Sequence, residues 1–321
     1  MSALLPLEEA LARMVGTVKP LTPHSLPLLE VDGCILAADC IAQVTKPPFA
    51  VSAMDGYALP NAPLPGVQYK VVGEVPAGGQ YQGNLMDSQA VRIFTGAPVP
   101  YGASHVLIQE DAVREGDRIT VGDRAGSGEN IRPKGGDFDK GDVLIPNGTT
   151  LAPQHIGLAA SGNHATLLCQ PKPTVAIMMN GDELTWPGSA PNDNAIIASN
   201  GYALATLAQR FGAKLADLTL IPDNQSEIEA YIAASEANIL VTIGGASVGD
   251  YDLIRPALVA QNYVLDFPKV ALRPGKPTLF GHKGKRTVLG LPGNPVSSFV
   301  SAMIFLRPLI KHLAGRSSLP L

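Results

Sequence analysis

The 321 residues carry a net charge of −4, with 45% hydrophobic and 16% charged residues. That balance excludes a disordered chain, which needs low hydrophobicity and high charge, and it offers no basic footprint for DNA or RNA. The length supports two or three domains around sizeable cores, and 33 glycines with 28 prolines promise many short elements joined by tight turns. No N-terminal run joins basic residues to an apolar segment and a cleavage site, and no apolar run reaches about 18 residues, so a cytoplasmic, non-membrane protein is expected. The three cysteines, Cys34, Cys40 and Cys169, lack the paired spacing of metal sites and are expected to be buried and reduced.

Leu7, Ala10, Leu11, Met14 and Val15 recur at helical spacing, with Glu8 and Glu9 in the first turn, predicting a short amphipathic helix. Residues 26–42 look extended, with a turn at Asp32-Gly33. In Lys46-Pro47-Pro48-Phe49, followed by Asp55-Gly56-Tyr57, the prolines hold the entry extended. Asp55-Gly56 is a turn signal that can also expose a carboxylate. Residues 60–145 break into short strands such as Tyr69–Val72, Ala90–Phe94, His105–Ile108 and Arg118–Val121, the pattern of a small β domain. Thr95-Gly96 falls at a strand end within it. Arg132 and Lys134 beside Gly135-Gly136 fit a solvated basic loop as well as a phosphate site. Gln154–Ser161 reads as a helix closed by Gly162. The expected organisation is a linking module of residues 1–45 and 146–172, an inserted β domain at 46–145, an α/β domain at 173–315 and a tail at 316–321.

Beyond Pro173, strands and helices alternate: Thr174–Met179, the helix Asn200–Arg210, Leu218–Ile221, and a helix opened by Ser226-Glu227-Ile228-Glu229 in capping-box form. Then come Ile239–Ile243, Thr287–Leu291, a turn at 292–298 and a last helix, Phe299–Leu313. This alternation predicts an open, mainly parallel sheet covered by helices on both faces. The organising stretch runs from Asn238 to Asp252. Its apolar strand ends at Gly244-Gly245, and Ser247, Asp250 and Asp252 precede a helix. A strand, a glycine turn and a helix N-terminus present N–H groups to an oxyanion. The carboxylates suit either a bridging divalent cation or an acid-capped turn. Other strand-end loops carry Asp182 and Glu183, Asp223, Lys269, Arg273 and Lys276, and Pro292-Gly293-Asn294-Pro295 with Ser297. In open α/β sheets such loops share one rim, where ligands bind. Carboxylates facing three cations there would serve a Mg²⁺-dependent phosphate or oxyanion site.

Several of these segments together resemble one family. Pro47-Pro48-Phe49 with Ser52-Ala53-Met54-Asp55-Gly56-Tyr57-Ala58, Arg92-Ile93-Phe94-Thr95-Gly96-Ala97 and Gly181-Asp182-Glu183-Leu184 resemble signatures of the molybdopterin molybdenumtransferases, the MoeA and gephyrin E-domain family. So do Gly244 to Asp252, Arg273-Pro274-Gly275-Lys276-Pro277 and Leu291 to Ser297, in the family's order across residues 5–315. The resemblance implies an α/β multidomain fold with a molybdopterin-binding, MogA/MoaB-like sheet. It implies molybdenum cofactor biosynthesis: Mg²⁺-dependent insertion of molybdate into adenylylated molybdopterin, with release of AMP. It places Mg²⁺ on Glu183, Asp223 and Asp252 and assigns catalytic roles to Asp55, Asp223, Asp252, Lys269 and Lys276. Substrate binding falls to Thr95, Gly96, Gly244, Gly245, Ser247, Asp250, Arg273, Pro292, Gly293, Asn294, Pro295 and Ser297. It further implies a homodimer with Asp55 and Thr95 entering from the second subunit, and dealings with other cofactor-biosynthesis proteins.

Asn180 stands where the family usually has threonine, and Ala198 where aspartate often precedes Ser-Asn. Family members typically continue past this last helix into a C-terminal β-barrel domain, which this sequence does not enter. Two alternatives follow: a carrier or scaffold that binds molybdopterin without turnover, and a molybdopterin adenylyltransferase, which shares the α/β domain.

Overall fold

The computed structural model describes residues 4–126, 128–190, 194–244 and 252–316; of the candidate site residues, Gly245, Ser247 and Asp250 lie outside these ranges. Two compact units result. One holds residues 1–38, 147–153 and 166–321, the other 39–146 and 154–165. The segments grouped by sequence into one linking module are thus shared out between them.

The larger unit is built on six strands: β1 (Thr174–Asn180), β2 (Lys214–Ile221), β3 (Ile239–Ile243), β4 (Val264–Phe267), β5 (Leu279–Lys283) and β6 (Arg286–Leu291), in the order β2-β1-β3-β6-β5-β4. β2, β1, β3 and β6 are parallel, while β5 runs antiparallel to both β6 and β4. Successive side chains of a strand point to opposite faces, and the burial follows that rule. Val175, Ile177, Met179, Ile239, Val241, Ile243, Leu289 and Leu291 enter one core. Ala176, Met178, Leu240 and Val288 enter the other. Burial on both faces is why these strands read as unbroken apolar runs.

Helix α1 (Leu7–Thr17) covers the first face with Ala10, Leu11 and Met14, joined by Leu204, Ala205 and Ala208 of α2 (Asn200–Arg210). α3 (Gln225–Ala234) and α4 (Ile254–Ala260) cover the second with Ile228, Ile232, Ala257 and Leu258. α3 begins one residue earlier than Ser226. Its cap is Asn224, whose side chain accepts hydrogen bonds from the Ser226 and Glu227 amides at 3.0 and 3.3 Å. An N-cap asparagine outcompetes a serine already inside the first turn.

α5 (Pro295–Leu313) starts four residues before the predicted Phe299, capped by Asn294, with Pro295 at a first-turn position that needs no N–H donor. By length and hydropathy alone it could cross a membrane, correcting the expectation that no apolar run is long enough. The apolarity has another outlet: Ala302, Phe305, Leu306, Leu309 and Ile310 are fully buried in the first core. A wide π turn at Ala302–Leu306 precedes Pro308, which cannot donate to the preceding turn and whose ring crowds the carbonyl four residues back.

The smaller unit centres on a six-stranded sheet with His105–Ile108, Gly56–Leu59, Gln89–Ile93, Gln68–Val75, Arg118–Val121 and Ala112–Glu115 in that order. Alternation again sorts its side chains: Tyr57, Leu59, Ala90 and Leu107 to one cluster, and Ala58, Val91, Ile93 and Val106 to the other.

All three cysteines are free and buried. Burial raises the Cys34 and Cys40 thiols and pushes Cys169 up to about 12. Ellman's reagent should therefore find no thiol in the native protein near neutral pH and three after denaturation. Truncating Phe305 to alanine should lower stability by ~3–5 kcal/mol in chemical denaturation, through lost burial and an unfilled cavity.

Candidate functional site at the strand ends

The four parallel strands finish on one rim, and each end is shaped by a residue suited to a tight exit. Gly244, at φ +97°, follows β3, and a Cβ there would lie 2.9 Å from the Asn180 carbonyl oxygen. Only glycine fits such a position. β1 ends at Asn180 and β2 at Ile221, paired with each other in register. Because β4 runs parallel to β6, the loop 268–278 leaves and re-enters the sheet on this same rim. Lys269, Arg273 and Lys276 sit on that loop, which is fixed by Val270 N–H donating to the Lys276 carbonyl at 3.0 Å and by Thr278 Oγ1 donating to the Gly275 carbonyl at 2.8 Å. Among the described residues, no carboxylate is ion-paired with any of the three.

A cavity of about 280 Å³ opens between these ends. Its apolar lining is Met179, Leu184, Ile196, Ile197 and Ile243, of which Met179 and Ile243 are buried and the two isoleucines at 196 and 197 exposed. Its polar lining includes buried Asn180 with Glu183, Ser199 and Asn200, and Gly244, Gly293 and Pro295 complete the wall. A hydrophobic lining with few convergent polar groups suits a flat ligand body with polar arms. Asn200 Nδ2 donates to the Gly293 carbonyl at 2.7 Å, tying the start of α2 to the turn before α5. Asp223 adjoins the cavity through Asn180, whose Nδ2 donates to Asp223 Oδ1 at 2.9 Å, and the Asp223 amide donates to Asp182 Oδ1 at 3.0 Å.

The structure therefore gathers Glu183, Gly244, Gly293 and Pro295 at the cavity wall, with Asp223 one hydrogen bond away. Asn294 and Ser297 are occupied with each other: Asn294 Oδ1 accepts from the Ser297 amide at 3.1 Å and from its hydroxyl at 3.3 Å, capping α5. Pro292 leads into that turn. Asp252 turns to Arg255, accepting its amide at 3.3 Å and pairing with its guanidinium at 2.9 Å. Among the described residues, no three acids, histidines or cysteines converge as a ready metal cage. Glu183, Asp223 and Asp252 are thus not assembled in advance.

In the β unit, Asp55 is built into a different apparatus. Asp55 Oδ1 accepts from the Thr95 amide at 2.8 Å and the Thr95 hydroxyl at 2.7 Å. These two bonds, with the nearby Arg92 charge, hold the Asp55 carboxyl below its ordinary range. Arg92 fixes the turn itself, donating to the Gly56 carbonyl at 2.9 Å and to Gln109 Oε1 at 2.6 Å while lying over the Tyr57 and Phe94 rings. A Cβ on Gly56 would collide with the Leu107 carbonyl oxygen, so the Asp-Gly pair is required by strand contact as well as by turn geometry. Gly96, at φ +82°, donates its amide to the Ser52 carbonyl at 2.8 Å. A separate cavity of about 510 Å³ in this unit is lined by Phe49, Tyr81, Tyr101 and neighbouring glycines and prolines. It contains neither Asp55 nor Thr95.

Sequence reading missed Asn180, Asn200 and Arg92 as site-shaping residues. Asn180 bordered a quoted motif and Arg92 opened one, but Asp223 reaches Asn180 from 43 residues away and the Gly56 carbonyl reaches Arg92 from 36.

The α/β sheet with its strand-end cavity and the accompanying β unit define a multidomain α/β protein whose cavity lies at the carboxyl ends of its parallel strands, the place where open α/β sheets bind ligands. Residues 5–162 match the MoeA N-terminal region, domains I and II, and residues 176–312 match a probable molybdopterin binding domain. The chain is 36% identical over 318 residues to a molybdopterin molybdenumtransferase of Haemophilus influenzae, spanning 98% of this chain and 78% of that protein. It is 35% identical over 300 residues to one from Nostoc sp., spanning 90% and 69% respectively. The crystal structure of a molybdopterin biosynthesis MoeA protein from Pyrococcus horikoshii superposes with a TM-score of 0.77 at 28% identity, covering 98% of this chain and 81% of that one. The chain belongs to the molybdopterin molybdenumtransferase family, enzymes of molybdenum cofactor biosynthesis.

The Thr95 bonds should be visible by titration. Thr95→Val keeps the amide donor and removes the hydroxyl donor, so the Asp55 carboxyl should titrate at higher pH than in wild type, followed by carboxylate ¹³C chemical shifts. Because the folded-state value is depressed, Asp55 favours folding above its unfolded-chain pKa, and that contribution is lost as pH falls through the folded value. The variant should lose it at higher pH.

Proposed function

We propose that the strand-end cavity takes adenylylated molybdopterin and that the enzyme inserts molybdate into its dithiolene, releasing AMP with the help of Mg²⁺. The observation that supports this reading best is the arrangement of the rim: a largely apolar cavity lined by Glu183, with Asp223 one hydrogen bond away through Asn180, on the same rim as a loop bearing three cations. Lys269, Arg273 and Lys276 neutralise phosphate and molybdate oxygens. The backbone around Gly244 and Gly293 lets the ligand approach closely.

Mg²⁺ takes an octahedron of oxygens, usually one or two carboxylates with the rest from phosphate and water. The donor set fits that habit and does not require a preformed three-acid cage. Glu183 and Asp223 would hold the ion, while Asp252 keeps Arg255 at the start of α4 and would have to leave it to become a third ligand. When bound, the ion supplies Lewis-acid stabilisation of charge on the phosphate oxygens. The protein's own part is to orient the Asp223 carboxylate through Asn180, to seat the ring on the apolar lining and to bind the anion with its cations. In this reading the enzyme works as a cytoplasmic homodimer, with Asp55 and Thr95 serving the site of the second subunit.

The test is AMP release and molybdenum retention with adenylylated molybdopterin, molybdate and Mg²⁺. Asp223→Ala should cut turnover by roughly 100-fold or more, as loss of a group acting on transition-state charge does, while leaving the unfolding midpoint nearly unchanged. Lys276→Ala should chiefly raise the molybdate concentration needed for half-maximal rate. Tight binding of substrate by the wild type without AMP release would make the chain a carrier instead.

A further inference from the structure

We propose that Asp252 serves the site as a positioning residue and not as a metal ligand: through Arg255 it sets the start of the loop that carries Lys269, Arg273 and Lys276. The link is a relay of one carboxylate, one guanidinium and one backbone carbonyl. Its effect on the reaction rests on the reading of that loop as the anion-binding one, while the relay itself rests on geometry alone.

Asp252 lies just before α4, and Arg255 is the second residue of that helix. One residue engages both Asp252 oxygens: Oδ1 accepts the Arg255 amide at 3.3 Å, and Oδ2 lies 2.9 Å from Arg255 Nε. The Asp252 side chain is only 12% exposed and that of Arg255 25%, so solvent screens the pair less than it would an exposed one. Arg255 Nε is buried and makes no directed hydrogen bond; charge holds it to Oδ2. The directed bond of the guanidinium goes elsewhere. Its Nη2 donates to the Pro268 carbonyl at 3.3 Å, and Pro268 directly precedes Lys269. A planar guanidinium presents several donors at fixed angles, so one arginine can meet a carboxylate and a carbonyl together. Capping a helix start needs only a side-chain oxygen on an amide. The reach to Pro268 adds nothing to the cap and marks a second task.

The rest of the loop is pinned from other sides. Ala271 N–H donates to the Leu5 carbonyl at 2.8 Å, Val270 N–H to the Lys276 carbonyl at 3.0 Å, and Thr278 Oγ1 lies 3.1 Å from Ser301 Oγ of α5. Val270 is fully buried. Lys269 therefore stands between two held residues, Val270 on one side and Pro268 on the other, and the Pro268 side depends on Arg255. To hold Mg²⁺ instead, Asp252 would have to leave a part-buried guanidinium without its counter-charge, and stranding such a charge is costly. Glu183 and Asp223 already supply the one or two carboxylates that Mg²⁺ usually takes. Positioning is the role that keeps every pair satisfied: the acid after β3 governs the cations after β4.

The experiment uses the full chain and compares Asp252→Asn, Arg255→Met and the double variant with wild type. AMP release from adenylylated molybdopterin is followed at varied molybdate and varied Mg²⁺. Each single variant should raise the molybdate concentration for half-maximal rate by about three- to tenfold, the scale of one hydrogen bond lost, and leave the half-saturating Mg²⁺ concentration near that of wild type. Because both residues act through one relay, the double variant should be no worse than the worse single one. Arg255→Lys keeps the charge but not the fork and should resemble Arg255→Met. Without any ligand, the ¹⁵N amide resonances of Lys269 and Val270 should shift in both single variants, with the spectrum otherwise that of a folded chain. A residue that only capped α4 would not move them. A rise of about tenfold or more in half-saturating Mg²⁺ for Asp252→Asn, with Arg255→Met at the wild-type value, makes Asp252 a metal ligand and overturns the proposal. Unmoved Lys269 and Val270 resonances overturn it as well, and so do defects that add in the double variant. If the wild type releases no AMP, the functional reading falls, while the amide resonances still decide whether Asp252 sets the loop.

Discussion

The constraint on which the larger unit depends is burial of β1, β3 and β6 on both faces. A strand that is apolar on alternate faces cannot reach water along its length, so polar chemistry is driven to its ends. Parallel pairing then puts four of those ends together, and helices on both faces seal the sides. Asn180, Asp223, Gly244 and Gly293 are separated by up to 113 residues along the chain (180 to 293). They become neighbours because parallel pairing brings these strand ends to one rim.

Within that rim, several side chains are committed to local hydrogen bonds and others are left available. Asn294 and Ser297 cap α5, and Asp252 holds Arg255, so three strong sequence candidates are engaged in holding helix starts. The cations of loop 268–278 have no ion-pair partner among the described residues. Glu183 borders the cavity, and Asp223 is aimed by an amide. This division separates groups that shape the backbone from groups that can meet an anion or a metal, although all belong to the same type of motif in the sequence.

Much of the fold was legible because period-two burial and helical spacing are strong local signals. α2 was read to the residue, as were β3 and the strands at 105–108 and 118–121. Element starts were less legible where two capping residues compete. Asn224 displaced Ser226 because its carboxamide reaches two free amides at once, and Asn294 with Pro295 started α5 where proline and glycine looked like a turn. β2 was read from Leu218, yet it begins at Lys214. Its first half is partly exposed at the sheet edge, so Asp217 and the polar positions hid the strand pattern. The membrane-length character of α5 was hidden in the same way, by serines and basic residues scattered along its apolar positions.

The site was legible as a set of residues but not as a set of roles, and the reason is physical. Motifs report which side chains lie on the rim; they do not report which atom already has a partner. Asp55 shows the difference in the β unit. Its Oδ1 is saturated by Thr95 and its turn is held by Arg92, which lies over two aromatic rings. Its charge is thus kept by bonds from Thr95, 40 positions away (95 − 55), and by the nearby charge of Arg92, 37 positions away (92 − 55). Asn180 shows it again in the α/β unit, where a carboxylate on the neighbouring strand end, which can only accept, dictates which way the amide must face.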